Sequence, residues 1–143
     1  MEHEYFSRFE LEFCIKLLVS LVAGFLTGYE RETRGKDAGI GTHIMVITGS
    51  MLFTVLSDFV DPASRSRIAA QVVSGIGFLG AGLIFKEGSI IRNLTTAASL
   101  WFAAAIGMAL GYGFYVVALL STVVSVVIPR VPTLRKRNLN DYR

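Results

Sequence analysis

Residues 69–85 read AAQVVSGIGFLGAGLIF, and within them GIGFLG (75–80) satisfies the G-x-G-x-x-G pattern of a dinucleotide-binding loop. Such a loop needs a strand before it, a helix beginning inside it and an acidic residue about 20 residues later. Here the glycines lie in the middle of an apolar run, with no room for a βαβ unit around them. A soluble dinucleotide enzyme is therefore rejected on context. Glycines in an apolar run have a different use in lipid, where helices associate by close van der Waals approach and small residues permit it. On a helix turning about 100° per residue, Ala70, Ser74, Gly77 and Ala81 form one seam, with Gln71, Gly75 and Gly82 beside it. Gly80 belongs to the same set of candidate packing residues, while Val72, Ile76, Leu79 and Leu83 form the opposite flank. The expectation is a helix-packing groove along the small face.

The rest of the chain supports a membrane setting. Of its 143 residues 52% are hydrophobic and 17% charged, against about 25% charged in ordinary soluble domains, and the mean hydropathy is +0.55. With roughly 20 apolar residues per crossing, the runs Phe13 to Tyr29, Thr42 to Phe59, Ile68 to Phe85, Leu94 to Leu110 and Tyr112 to Ile128 predict about five spans. The fold class is all-α, a polytopic transmembrane helical bundle. The last two runs are nearly continuous and are divided at Gly111 to Gly113, because one straight helix of that length would overshoot the bilayer. The predicted organisation is an acidic N-terminal segment (1–12), a transmembrane domain (13–128) and a basic tail (129–143). Glu2, Glu4, Glu10 and Glu12 replace the basic start of a cleavable signal peptide, so the first run is expected to stay in the mature protein.

Lysines and arginines set the expected orientation. One set of alternate loops collects Arg31, Arg34, Lys36, Lys86, Arg92, Arg130, Arg135, Lys136, Arg137 and Arg143; the other collects Arg8, Arg65 and Arg67. The N-terminus is then outside and the C-terminus cytoplasmic. The net charge of +3 follows this topology and makes no aromatic-interleaved face for nucleic acid. The basic tail is suited to anionic headgroups of the lipid bilayer. Cys14, the lone cysteine, excludes a disulfide framework and is read as a packing residue.

Ionisable groups within a membrane are costly, so each is a candidate for function. Glu30, Arg31 and Glu32 close the first run and His43 opens the second. They form either a proton- or cation-responsive cluster or a set of interfacial anchors with an internal salt bridge. Asp61, Arg67 and Gln71 complete the candidate polar set. Asp61 precedes Pro62 and reads equally as a turn or cap residue, while Gln71 and Ser74 read as interhelical hydrogen-bonding groups first and pore lining second. Thr95, Thr96 and Ser99 can cap the fourth helix or bond to a neighbour, and Trp101 is expected between helices or near an interface. A dedicated Mg²⁺ site wants one or two carboxylates with several waters, and Glu30 with Glu32 is the one candidate pair near His43, so a metal site stays open. With no phosphate-binding loop, nucleophile elbow or H-E-x-x-H, no catalytic residue or cofactor is expected, and the chain is read as not an enzyme.

The block DPASRSRIAAQVVSGIGFLGAGLIFKEGSIIRNLTTAASLWFAAAIGMALGYGFY (61–115), with YERETRGKDAGIGTHIMVITGSMLF (29–53), closely resembles the membrane domain of the MgtC/SapB family of bacterial inner-membrane proteins. The resemblance spans about residues 10–128, with Asp-Pro and an arginine, AAQVVSGIGFLGAG and LTTAASLW in the family's order. It implies a multi-pass inner-membrane protein linked to magnesium limitation, acid tolerance and bacterial survival inside hosts. It further implies a homo-oligomer and a larger membrane complex such as the ATP synthase as partners, with a small Mg²⁺ or proton transporter as the alternative. Two local departures stand out: Gly41 occupies the place of an arginine in the family's GLRTH, and Asn93 that of a usual glycine. Many members also append an ACT-like domain, and regulation through one is not expected of this chain alone.

Overall fold

The apolar runs fold as helices, and the charged stretches between them turn the chain. The computed structural model describes residues 2–60 and 62–131, with side chains from residue 8 onward. The elements are α1 (Glu2–Thr33), α2 (Ile40–Val60), α3 (Arg67–Leu83), a hairpin of β1 (Phe85–Glu87) and β2 (Ile90–Arg92), α4 (Leu94–Gly111) and α5 (Tyr115–Val127), followed by a 3₁₀ turn (Ile128–Arg130). The protein is mostly helical, and α2 and α4 are long and apolar enough to cross a membrane. The division expected at Gly111 to Gly113 is present: α4 ends at Gly111 and the chain reverses through Gly113 at φ +80°. α1 runs unbroken through the expected boundary between residues 12 and 13.

α2 is the central helix, clasped by α1 on one side and α4 on the other. Both contacts are made through glycines. A methyl group placed on Gly24 would lie 2.6 Å from the Ile44 Cα, and one on Gly28 would lie 2.8 Å from the Gly39 carbonyl oxygen. On the other side a methyl on Gly107 would strike the Ile47 carbonyl and sit 2.8 Å from the Ser50 Cβ; one on Gly111 would sit 2.7 Å from the Thr54 Cγ2. Each pair is spaced G-x-x-x-G, the pattern that brings two backbones together in lipid. Ile47, Met51 and Val55 of α2 fill the core between them, against Ala103, Ile106 and Leu110 of α4.

The groove expected along the small face of α3 is not formed within the chain. α3 turns its other flank inward: Ala69, Ile76 and Gly80 are buried, and Ile76 joins Leu100 and Ala104 of α4 with Val72 and Leu83 alongside. Of the seven predicted packing residues only Gly80 is buried, with a methyl there 3.6 Å from the Ala97 Cβ; Ala70, Ser74, Gly75, Gly77, Ala81 and Gly82 are exposed. The physical reason is that α4 supplies the small residues at this contact, so α3 can bury its larger side chains and more apolar area. Cys14, read as a packing residue, is likewise exposed.

The hairpin is a departure from the all-α expectation. Phe85 pairs with Arg92 and Glu87 with Ile90, and Gly88 takes φ +61° at the first position of the two-residue loop, which glycine adopts without strain. Asn93 then adopts the left-handed conformation at φ 62° and its amide donates to the Asp37 carboxylate at 2.6 Å. Asparagine is among the few other residues that tolerate this conformation, so it serves where the family resemblance calls for glycine. Asp61 lies outside the described residues. The α3 N-terminus is capped instead by Ser57 of α2, whose hydroxyl accepts from the Ile68 and Ala69 amides, each at 3.2 Å, and donates to the Arg65 carbonyl at 2.7 Å.

Candidate functional site

The C-terminus of α1 and the N-termini of α2 and α4 meet at one end of the bundle. Three of the predicted polar residues converge there: Glu30, Arg31 and His43 are 1%, 2% and 0% exposed. Their burial follows from the close approach at Gly24 and Gly28, which seats the last turns of α1 against the start of α2. Glu30 Oε1 faces the Arg34 guanidinium at 3.5 Å, and Arg31 donates to the Thr96 hydroxyl at 3.3 Å. His43 Nδ1 lies 2.9 Å from the Gly39 carbonyl, which can only accept, so Nδ1 carries the proton and Nε2 of a neutral ring is a bare acceptor. Both the Glu30 and Arg31 charges act on that ring.

The cluster is incompletely satisfied. Glu30 Oε2, Arg31 Nε, His43 Nε2 and the Thr27 hydroxyl are buried without a hydrogen-bond partner. Leaving one such group unpaired typically costs about 1–3 kcal/mol, more for a charge, and buried polar groups in folded proteins are otherwise nearly always paired. Two acceptors, a guanidinium donor and a hydroxyl are thus left unpaired within the bundle. Arg31 lies beyond the apolar run that ends at Tyr29; burial lowers its proton affinity from the usual arginine value, Glu30 opposes that effect and Arg34 adds to it.

The remaining predicted polar residues do not join this cluster. Arg67 and Gln71 lie on α3 at the opposite end of α2, and both are exposed, Gln71 beside a crevice between α2 and α3. About 17 residues of helix at 1.5 Å each separate His43 from that end, too far for contact. Glu30 and Glu32 also diverge. Glu32 is exposed and accepts from the Ile40 amide at 2.9 Å, capping α2, so it is not a second carboxylate for a cation beside Glu30. Among the described residues no group of three or more His, Cys, Asp or Glu side chains stands ready to hold a metal ion.

Lys16 is a candidate that reading the sequence by runs passes over. It lies inside the first apolar run, its side chain is 12% exposed and it pairs with Glu12 at 2.8 Å. With Asp58 and Arg65, themselves paired at 3.3 Å, it lines a cavity of about 400 Å³ at the end of the bundle opposite Glu30. The signal was present in the sequence, as Glu12 and Lys16 have the i, i+4 spacing of a helical ion pair.

The family model described as "MgtC family" matches residues 17–136. The chain is 46% identical over 112 residues to Protein MgtC of Salmonella typhimurium, covering 78% of this chain and 48% of that protein. It is 48% identical over 105 residues to Protein MgtC of Brucella abortus, covering 73% of this chain and 44% of the relative. It is 41% identical over 143 residues to the protein of Escherichia coli named "Putative magnesium transporter YhiD", covering 92% and 66%. The chain thus spans about half the length of the MgtC proteins it matches. No solved structure matches.

Proposed function

We infer the function from one premise: this chain belongs to the MgtC family. It is a magnesium-related membrane protein, and we read it as a non-enzymatic, multi-pass regulator in the bacterial inner membrane. In this reading all five helices cross, with the N-terminus outside and the C-terminus cytoplasmic. The outward faces support the crossing, since side chains such as Phe78 of α3 and Val116 of α5 lie open on the bundle surface. α3 and α5, at 17 and 13 residues, are shorter than a nominal span, which tilt and local thinning of the bilayer accommodate. Arg31, Arg34, Lys36, Lys86, Arg92 and Arg130 support a cytoplasmic assignment for the Glu30 end.

The observation that carries the regulator reading is the company Glu30 keeps. It is the one fully buried carboxylate among the described residues, and its neighbours Arg31 and Arg34 already supply positive charge. A Mg²⁺ ion dehydrates reluctantly and is held by carboxylates and waters; beside two guanidinium groups it is repelled. The cluster is therefore suited to respond to protons or to the ionic state of the cytoplasm rather than to conduct Mg²⁺. The exposed seam Ala70, Ser74, Gly77 and Ala81 is then the face for a second copy or for a larger membrane complex such as the ATP synthase. Gly77→Leu, inserted at normal level, is expected to abolish self-association in lipid nanodiscs and to restore ATP-driven acidification in inverted vesicles that the unaltered protein slows. Unchanged assembly together with unchanged acidification would overturn this reading.

The alternative is a small proton or Mg²⁺ transporter. The unpartnered buried groups on α1, Ser20, Thr27 and Glu30, with His43 of α2, favour it because they form a polar thread in an apolar bundle. The name of the Escherichia coli relative points the same way.

A further inference from the structure

Between α4 and α5, at the end of the bundle that holds Glu30, a lateral cavity of about 630 Å³ opens on the flank of the bundle. Its chemistry is divided. Arg31, Arg34 and Lys36 stand at one margin, while Trp101, Phe102 and Ile128 make an apolar wall, with the hydroxyl residues Ser99 and Ser125 between them. Arg31 is 2% exposed and its Nε has no partner. Of the carboxylates near these cations, Glu32 accepts from the Ile40 amide, Asp37 from Asn93, and Glu30 faces Arg34 through Oε1 while its Oε2 is buried without a partner. Arg34 also donates to the Pro129 carbonyl at 2.5 Å, which fixes the 3₁₀ turn as the cavity's far margin.

We propose that this cavity binds an anionic phospholipid, its phosphate held by Arg31, Arg34 and Lys36 and an acyl chain lying along Trp101, Phe102 and Ile128. A guanidinium whose charge is disfavoured by burial and whose Nε has no partner gains from an anion placed against it. The phosphate of a phosphodiester supplies that anion and offers geometry that arginine matches. A free phosphate would satisfy the cations and leave the apolar wall wet; a neutral lipid would cover the wall and leave the cations unmatched. An anionic lipid does both, and basic pockets between transmembrane helices are suited to such headgroups. The site does not depend on whether the protein regulates or transports. Its assignment to the cytoplasmic leaflet rests on the proposed orientation.

The chain's single tryptophan makes the test direct, because Trp101 lines the cavity and is 52% exposed. The full chain is reconstituted in symmetric phosphatidylcholine vesicles containing increasing fractions of dibrominated phosphatidylglycerol or dibrominated phosphatidylcholine, and Trp101 quenching is followed. Symmetric vesicles remove any dependence on orientation, so a failure here would say nothing against it. The brominated anionic lipid is expected to quench at a mole fraction lower by on the order of ten-fold, and each cation removed is expected to cost about five-fold of that preference. Lys36→Gln leaves the Arg34 contact with Pro129 in place and tests the charge alone; Arg34→Gln with Lys36→Gln is expected to abolish the preference. Equal quenching by the two lipids, or a preference unchanged in the double variant, would overturn the proposal. Loss of the preference on adding inorganic phosphate at constant ionic strength would also overturn it, assigning the cations to a free anion.

Discussion

The glycines of α1 and α4, four residues apart, and the more closely set glycines of α3 all lie in apolar helices and play opposite parts. Gly24, Gly28, Gly107 and Gly111 stand where the α2 backbone or its first side-chain atoms leave no room for a methyl group, whereas Gly75, Gly77 and Gly82 of α3 have no heavy atom within 4 Å of such a methyl. The first two pairs build the bundle. The α3 glycines leave a smooth face on its outside. The difference teaches that a small-residue pattern marks a place where close approach is possible, and the opposing helix decides whether it occurs. α2 presents Ile44, Ile47 and Thr54 to the glycines, while α4 presents its own alanines to α3 and receives larger side chains in return.

The largest effect is expected where the approach is closest. Gly107→Leu forces a branched side chain into the Ile47 carbonyl and Ser50, and should destabilise the protein by at least about 3 kcal/mol, the upper part of the overpacking range. Denaturant titration in mixed micelles measures it, and a loss below about 1 kcal/mol would mean the two helices are not held together there. An intermediate effect tests how α3 is attached despite its thin packing. Ser57→Ala removes the hydroxyl that caps α3 from α2 and should cost about 1–2 kcal/mol, with hydrogen exchange rising first at the Ile68 and Ala69 amides. Uniform exchange across α3 would show that the cap is not its anchor. The smallest effect on stability is expected for Gly77→Leu, within about 0.5 kcal/mol as for an open surface position. A large destabilisation there would erase the distinction between the two glycine sets.

Much of this arrangement was legible in the sequence, and the remainder failed for identifiable reasons. Composition gave a mostly helical membrane protein, and the turn at Gly111 to Gly113 followed from the length limit on one helix. Glu30, Arg31 and His43 could be placed together because the loop between their helices is short. The alternation of loops already set Arg67 on the opposite side from Glu30, and Gln71, one helical turn further along α3, lies towards that same end. The G-x-x-x-G pairs of α1 and α4 are diluted among larger side chains, whereas GIGFLGAG concentrates four glycines in one stretch of α3. KEGSIIR is too short to show the alternation of a strand pair, so the hairpin is not legible in it. Capping by Ser57 is a contact between residues 11 and 12 apart in the chain, and no local pattern announces it.

The central claim is that the cluster of Glu30, Arg31 and His43 answers to its ionic surroundings without passing Mg²⁺. Its most direct test is ion flux in proteoliposomes carrying Mg²⁺- and pH-sensitive dyes, with Glu30→Gln as the matched control. The account predicts Mg²⁺ flux no greater than that of empty liposomes, from both the unaltered protein and the variant. Mg²⁺ flux that Glu30→Gln abolishes would contradict it and make the buried carboxylate part of a transport path.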